Sequence, residues 1–312
     1  MKSLLLNEPG VLQSALDEAE CAGQHFGVWS VEPRWFISAI SAINSGQWPR
    51  RAPEAAADRV TTRANEPFSR IGKDVALVRV VGQMQKRESS FGGTSTIRLR
   101  AALRAAVADS SIKGIMMAID SPGGTVAGTK ELADDVYAAR QQKPTYAYLE
   151  DMGASAAYWA ASQATRVSAN ATAMVGSIGT VAVIEDTRGA ADQLGIKVHV
   201  ISTGPYKGAF WPGTEVTKEQ IAYVQELVDD LNAEFLTAVS RGRGAAEKTV
   251  KGWADGRTWV GEKARSLGLV DAIEPFEAAV AALRSAMTPP QAPSARRRVS
   301  AEYAIRLAEL DA

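Results

Sequence analysis

The chain has 312 residues, of which 46% are hydrophobic and 22% charged, the balance of a folded globular protein rather than a disordered one. Lys and Arg total 35, Asp and Glu total 35, and this zero net charge argues against a dedicated nucleic-acid binder, which would carry a basic excess. A single cysteine, Cys21, excludes an internal disulfide framework and a cysteine-rich zinc site. The two histidines, His25 and His199, have no His or Cys neighbours that make up a convincing ligand set, so no metal is expected.

Residues 1–73 read as an N-terminal appendage. Leu4, Leu5 and Leu6 are too few for a signal-peptide core, and Glu8 follows at once. Trp29, Trp35, Phe36, Ile37, Ile40 and Ile43 predict a small helical packing patch. The stretch Arg50 to Lys73, with Arg50, Arg51, Arg59, Arg63 and Arg70, reads as a solvated basic linker.

A different texture begins at residue 74. The β-branched run Val75 to Val81 predicts a strand. Leu99, Leu103 and Val107 share one face of a helix over Ile97 to Ala108. A second strand, Ile115 to Ile119, runs into a turn at Asp120-Ser-Pro-Gly-Gly124. A helix from Val126 to Arg140 and a third strand from Thr145 to Leu149 complete two βαβ units, which argue for an α/β fold with a parallel sheet. Small residues from Gly153 to Ala161 mark a helix start. Val181 to Ile184 and Val198 to Ile201 predict two more strands.

Thr217 to Val239 carries Ile221, Val224, Val228, Leu231, Phe235 and Val239 on one stripe of a long helix. Thr217 and Gln220 are spaced as a capping box, and Gly242 and Gly244 are the expected stop. A short helix and strand follow within Thr258 to Ile273. The main body is read as residues 74–287. Residues 288–312, with three prolines, the run Arg296 to Arg298 and a possible helix over Ala301 to Leu310, read as a flexible C-terminal tail. The longest uncharged stretch, Val167 to Ile184, contains Ser168, Asn170, Thr172, Gly176 and Ser177 and reads as buried strand and loop rather than a membrane span. No membrane insertion, no nucleic-acid partner and a cytoplasmic location are expected.

The chemistry narrows by elimination. There is no Gly-x-Ser-x-Gly elbow, no phosphate loop and no dinucleotide fingerprint after a strand. His199, inside an apolar run, is poorly placed to act as a base. Serine and lysine remain. Ser155 lies in Gly153-Ala-Ser-Ala-Ala157, between a strand and a helix start, where unpaired amides and the helix dipole favour an oxyanion. The same small residues also let helices pack closely, and the segment alone does not decide between the two readings. Gly123 and Gly124 let backbone amides approach a substrate at a strand end, or simply make a turn. Lys207, in Gly204-Pro-Tyr-Lys-Gly208, is the candidate base. At pH 7 only about four in ten thousand unperturbed lysines are neutral, so a working base needs burial. Tyr206, Phe210 and Trp211 offer an apolar wall.

Six segments then fall into a known order: Asp120-Ser-Pro-Gly-Gly124, Gly153-Ala-Ser-Ala-Ala-Tyr-Trp-Ala160, Val175-Gly-Ser-Ile-Gly179, Gly204-Pro-Tyr-Lys-Gly208, Gly256-Arg-Thr-Trp-Val-Gly-Glu262 and Leu267-Gly-Leu-Val-Asp271. Over about residues 74 to 285 the chain resembles the signal peptide peptidase A family of serine peptidases, peptidase family S49, and looks most like its phage and prophage branch of head maturation and capsid assembly proteases. The resemblance implies a Clp-protease/crotonase-type fold and a Ser-Lys dyad, with Ser155 as nucleophile, Lys207 as general base and Ser177 as the serine that hydrogen-bonds the lysine. It implies an oxyanion region at Gly123, Gly124 and the amide of Ala156, no cofactor, a ring-shaped homo-oligomer, and scaffold or capsid proteins as substrates in the host cytoplasm or the prohead. Membrane-anchored members carry a transmembrane helix that is not seen here, and Gly208 stands where the lysine motif often continues with Asp. Three other readings are a soluble signal-peptide-peptidase-like enzyme degrading peptides, a crotonase-like acyl-CoA enzyme, and a catalytically idle assembly protein.

Overall fold

The computed structural model of the chain describes residues 29–31, 66–87 and 93–287. Most of the expected helical patch, Trp35 to Ile43, lies outside the described residues, as do Arg50 to Arg63 and the whole tail from 288. Trp29 is described, and it lies in a strand, β1 (Trp29–Val31).

A short strand β2 (Ser69–Ile71) precedes β3 (Val75–Val81), which takes the predicted span. After β4 (Met84–Gln85) and β5 (Thr94–Ser95) comes α1 (Thr96–Ala108), whose first turn is capped by the Ser95 hydroxyl accepting from the Arg98 amide. Strand β6 (Gly114–Ser121) ends one residue before β7 (Gly123–Thr125), so the expected Asp120–Gly124 turn is largely strand. Helix α2 (Thr129–Arg140) leads to β8 (Thr145–Ala154), which is longer than predicted, and to the short helix α3 (Ala156–Ala161). Strands β9 (Arg166–Ala169) and β10 (Met174–Gly176) follow.

The main sheet runs β11-β10-β8-β6-β3-β2, where β11 is Thr258–Val260. Strands β3, β6, β8 and β10 are parallel, and β2 and β11 close the two edges antiparallel. Beyond β8 the sheet forks. The first half of β8 pairs with β9 and the second half with β10. Crossover helices between neighbouring parallel strands make this an α/β fold of repeated βαβ units.

Side-chain alternation along the strands sorts two cores. Ala76, Val78, Ile115, Met117, Ile119, Ala147 and Leu149 face α1, α2 and α3. On the opposite face, Val75, Leu77, Met116, Ala118, Tyr146 and Tyr148 meet Ala279, Val280 and Leu283 of the last described helix, α8 (Phe276–Met287). Tyr148 and Phe276 pack edge to face there, with centroids 5.3 Å apart.

Between β10 and α8 lie α4 (Arg188–Gln193), α5 (Lys218–Arg243), α6 (Glu247–Trp253), α7 (Gly261–Leu267) and β12 (Ala272–Ile273), which pairs with β9. The Thr217–Gln220 capping box is present at the start of α5. Its stop differs from expectation. Gly244 alone ends the helix, in the left-handed conformation at φ 62°. Gly242 stays helical and serves close packing instead: a Cβ there would overlap the Ser162 carbonyl.

Two further expectations are corrected. The runs Val181 to Ile184 and Val198 to Ile201 form no strand. Val183 and Ile201 are 60% and 97% exposed, and, apart from a single bridge at Val181, no described strand pairs with either run. Arg70, read as part of a solvated linker, is 5% exposed. Its guanidinium holds Asp109 at 2.6 Å and Glu66 at 2.8 Å, and pins β2 to the turn after α1. The Ser111 hydroxyl and amide, together with Arg70, hold the Asp109 carboxyl down at about 2.

Candidate active site

Three adjacent parallel strands end side by side. Ser121 of β6 stands opposite Gly153 of β8, and Ala154 of β8 stands opposite Gly176 of β10. Each chain turns sharply beyond its strand. After β6 it passes Pro122 into Gly123 and Gly124. After β8 it enters α3 through Ser155, and after β10 it reaches Ser177. Ligand sites in parallel sheets gather at this rim of carboxyl ends.

Ser155 is fully buried and adopts φ 55°, ψ −121°. A residue with a Cβ is strained there, by about 1–3 kcal/mol. Backbone bonds on both sides hold it: its amide donates to the Gly176 carbonyl at 2.7 Å, and its carbonyl accepts from the Trp159 amide at 2.8 Å. Its side chain makes no cap bond to α3. All six residues of α3 are buried, as an all-apolar helix requires. The amides of Ala156 and Ala157 lie in its first turn, where no intrahelical carbonyl reaches them.

Ser177 is next in chain to the carbonyl that takes the Ser155 amide. It too has a positive φ, 49°, and is 3% exposed. Its amide donates to the Arg257 carbonyl at 2.7 Å. The Arg257 guanidinium pairs with Asp255 and lies 4.7 Å over the Trp259 ring in β11. This support comes from a motif that in the sequence carried only the resemblance. The pair Arg257 and Trp259, two residues apart at the start of an edge strand, is its visible trace.

Gly124 sits opposite Met84 of β4, so close that a Cβ would overlap the Met84 carbonyl oxygen. Only glycine fits that approach. Ser121, which the elimination passed over, holds this corner. Its hydroxyl donates to the Gly82 carbonyl at 2.6 Å and accepts from the Gly123 amide at 3.2 Å.

Ser155, Ala156, Ser177, Gly123 and Gly124 thus converge on one rim. Lys207 stands apart from this bonded group. It is exposed, in a turn where its amide donates to the Gly204 carbonyl at 3.1 Å. Among the described residues, its ammonium makes no hydrogen bond or ion pair.

The neighbourhood is acidic. Burial, with the Asp151 charge added, raises the Asp120 carboxyl above its ordinary value against the pull of the Met152 amide. Burial likewise raises Glu150, although Arg79 at 3.8 Å opposes it. Behind Ser155, burial drives the Tyr158 phenol far up, so it stays a neutral donor to the Leu269 carbonyl at 2.8 Å. Among the described residues, no cluster of three His, Cys, Asp or Glu side chains is placed to hold a metal. No helix there is long and apolar enough to cross a membrane. A serine held at a strand-to-helix turn beside glycine amides is an arrangement suited to acyl transfer.

Residues 137–288 match the family model of Peptidase family S49. Among curated proteins, a Methanocaldococcus jannaschii protein that carries a protease's name is 33% identical over 165 residues, 53% of this chain and 53% of its own. The head-tail preconnector protein GP5 of Enterobacteria phage P21 is 28% identical over 222 residues, 70% of this chain and 44% of its own. Capsid assembly protease C of Escherichia phage lambda is 28% identical over 217 residues, 68% of this chain and 49% of its own. The chain therefore spans about half the length of these relatives.

Proposed function

We propose that this chain, whose residues 137–288 match the family model of Peptidase family S49, is a serine endopeptidase with Ser155 as its nucleophile and Lys207 as its general base. The observation that carries this reading is the strained, buried Ser155, whose amide is bonded to the Gly176 carbonyl beside Ser177, at a rim it shares with Gly123 and Gly124. Strain of this kind persists where the surrounding structure over-determines it, and clusters at working sites.

Neutral Lys207 takes the Ser155 proton as Oγ attacks the peptide carbonyl. Backbone amides of Gly124 and Ala156 hold the oxyanion, and Ser177 orients the lysine. The lysine then protonates the leaving amine, and water releases the acyl group from Ser155. No cofactor enters this sequence.

Lys207 needs a drier setting than the one it has in a single chain. Leu194, Ile201 and Trp211 of the same segment are 75%, 97% and 62% exposed, an amount of bare apolar surface that marks an interaction face. We assign that face to other copies of the chain in a homo-oligomer, whose assembly would remove water from around Lys207. The two phage relatives, named for capsid assembly and for a head-tail preconnector, favour scaffold or capsid proteins as substrates, met in the host cytoplasm or the prohead.

The test is mass spectrometry of wild type and Ser155→Ala incubated with phage capsid and scaffold proteins, together with fluorophosphonate labelling. Cleavage and labelling by wild type alone are expected. Cleavage by Ser155→Ala at the wild-type rate would end the assignment.

A further inference from the structure

Strand β7 has two edges, and both are occupied. On one side β4 pairs parallel with it, Met84 opposite Gly124. On the other side β1 pairs antiparallel, with Trp29 opposite Thr125, Ser30 opposite Gly124 and Val31 opposite Gly123. A segment from the first tenth of the chain thus runs as an extended strand along the two glycines that border the Ser155 turn. Among the described residues, β1 pairs with no other strand.

We infer that residues 29–31 occupy the edge that an extended peptide substrate takes on its way to Ser155, so that the chain's own N-terminal segment competes with substrate for its site. The inference rests on the proposed peptidase function. Three physical points carry it. First, a strand edge recognises an extended main chain through backbone bonds, whatever its sequence. An occupant taken from this chain therefore uses the same donors and acceptors as a foreign peptide. Second, Gly123 and Gly124 bring no side chains to cover that edge, and β4 closes the other one. Peptide and β1 cannot both lie against β7.

Third, the balance is adjustable. A three-residue pairing is marginal by itself. A covalent tether, however, presents such a strand at an effective concentration on the order of millimolar. A good substrate displaces it, and a poor or short one does not. The segment therefore selects for peptides that pair with β7 better than residues 29–31 do.

Backbone N–H groups alternate sides along a strand, so replacing both Ser30 and Val31 by Pro removes whichever donor faces β7. The experiment compares three full-length proteins: wild type, the double Ser30→Pro, Val31→Pro variant, and a double Ser30→Ala, Val31→Ala control that keeps both donors. The substrate is an extended fluorogenic peptide. The expected result is an apparent KM about fivefold lower in the proline variant, with kcat unchanged and the alanine control like wild type. A free peptide with the sequence of residues 25–35 should raise the variant's KM again, competitively. Fluorophosphonate labelling of Ser155 is measured in parallel. Equal KM values with Ser155 labelled in all three proteins would overturn the competing strand and leave the peptidase reading standing. A proline variant with lower kcat and lower Tm would overturn it too, by showing β1 to be a support. No labelling and no hydrolysis in any protein would overturn both.

Discussion

The indole of Trp159 lies flat on the ring of Phe235, with centroids 4.5 Å apart and planes 6° apart. Both side chains are fully buried. This stack fastens the short helix that begins at Ser155 to the buried end of the long helix α5, and couples the geometry of the site to a contact one helix away.

Phe235→Ala should therefore cost about 3–5 kcal/mol of stability, the usual range for emptying such a site. Ser155 labelling should slow more than global unfolding explains, because α3 loses its backing. Urea unfolding and fluorophosphonate labelling measured below the transition separate the two effects. Unchanged labelling in a destabilised protein would show that α3 is held by its other neighbours.

Ser155→Gly and Ser155→Ala both remove the hydroxyl, but only glycine accepts φ 55° without strain. Both should abolish peptide cleavage. The glycine variant should be more stable than the alanine one by about 1–3 kcal/mol, a Tm difference of roughly 2–4 °C per kcal/mol. Calorimetry on the pair checks this. Equal melting temperatures would mean that the backbone is relaxed at this residue.

Gly124→Ala forces a Cβ into the Met84 carbonyl, so β4 and β7 must part. Loss of one oxyanion donor costs on the order of a hundredfold in kcat, and this substitution should reach that loss with Ser155 intact. Steady-state kinetics on a peptide substrate reads it. Near-normal kcat would remove Gly124 from the oxyanion site.

Asp271 predicts an acid-side effect. Burial works against its carboxylate, but Arg243 at 2.6 Å and the Val167 amide at 2.7 Å hold it below the ordinary carboxylate value. A depressed folded-state value contributes stability above the unfolded value of about 4, and that contribution is lost as pH falls through the folded value. Asp271→Asn should thus be less stable than wild type at pH 7, and the gap should close in acid. Thermal melts from pH 7 to pH 3 follow it. A gap that stays constant with pH would assign the effect to shape rather than charge.

The central α/β frame was legible because Val75 to Val81, Ile115 to Ile119 and Leu99 to Val107 carry their periodicity openly, each beside a turn or cap. The Thr217–Gln220 capping box was legible for the same local reason. Val181 to Ile184 and Val198 to Ile201 misled because β-branched residues state a preference, and a strand also needs a partner. Arg70 misled because Asp109, 39 residues away, becomes its partner beside Glu66 only after β2 docks. At the rim, Ser155 and the glycine pair could be reached from residue type and strand order. Ser177 came through resemblance alone, and the supports from Arg257, Trp259 and Ser121 needed the register of neighbouring strands.

The last described helix has a consequence for how the protein comes into being. On one face of the sheet, Met116, Tyr146 and Tyr148 are sealed by Ala279, Val280 and Leu283 of α8. The ribosome makes those strands long before it makes that helix. At ordinary translation rates the nascent sheet waits on the order of ten seconds with that face bare. Closure of that face is thereby postponed until residues 276–287 have been made, and a nascent chain short of them has Ser155 but lacks the helix that seals the sheet behind it.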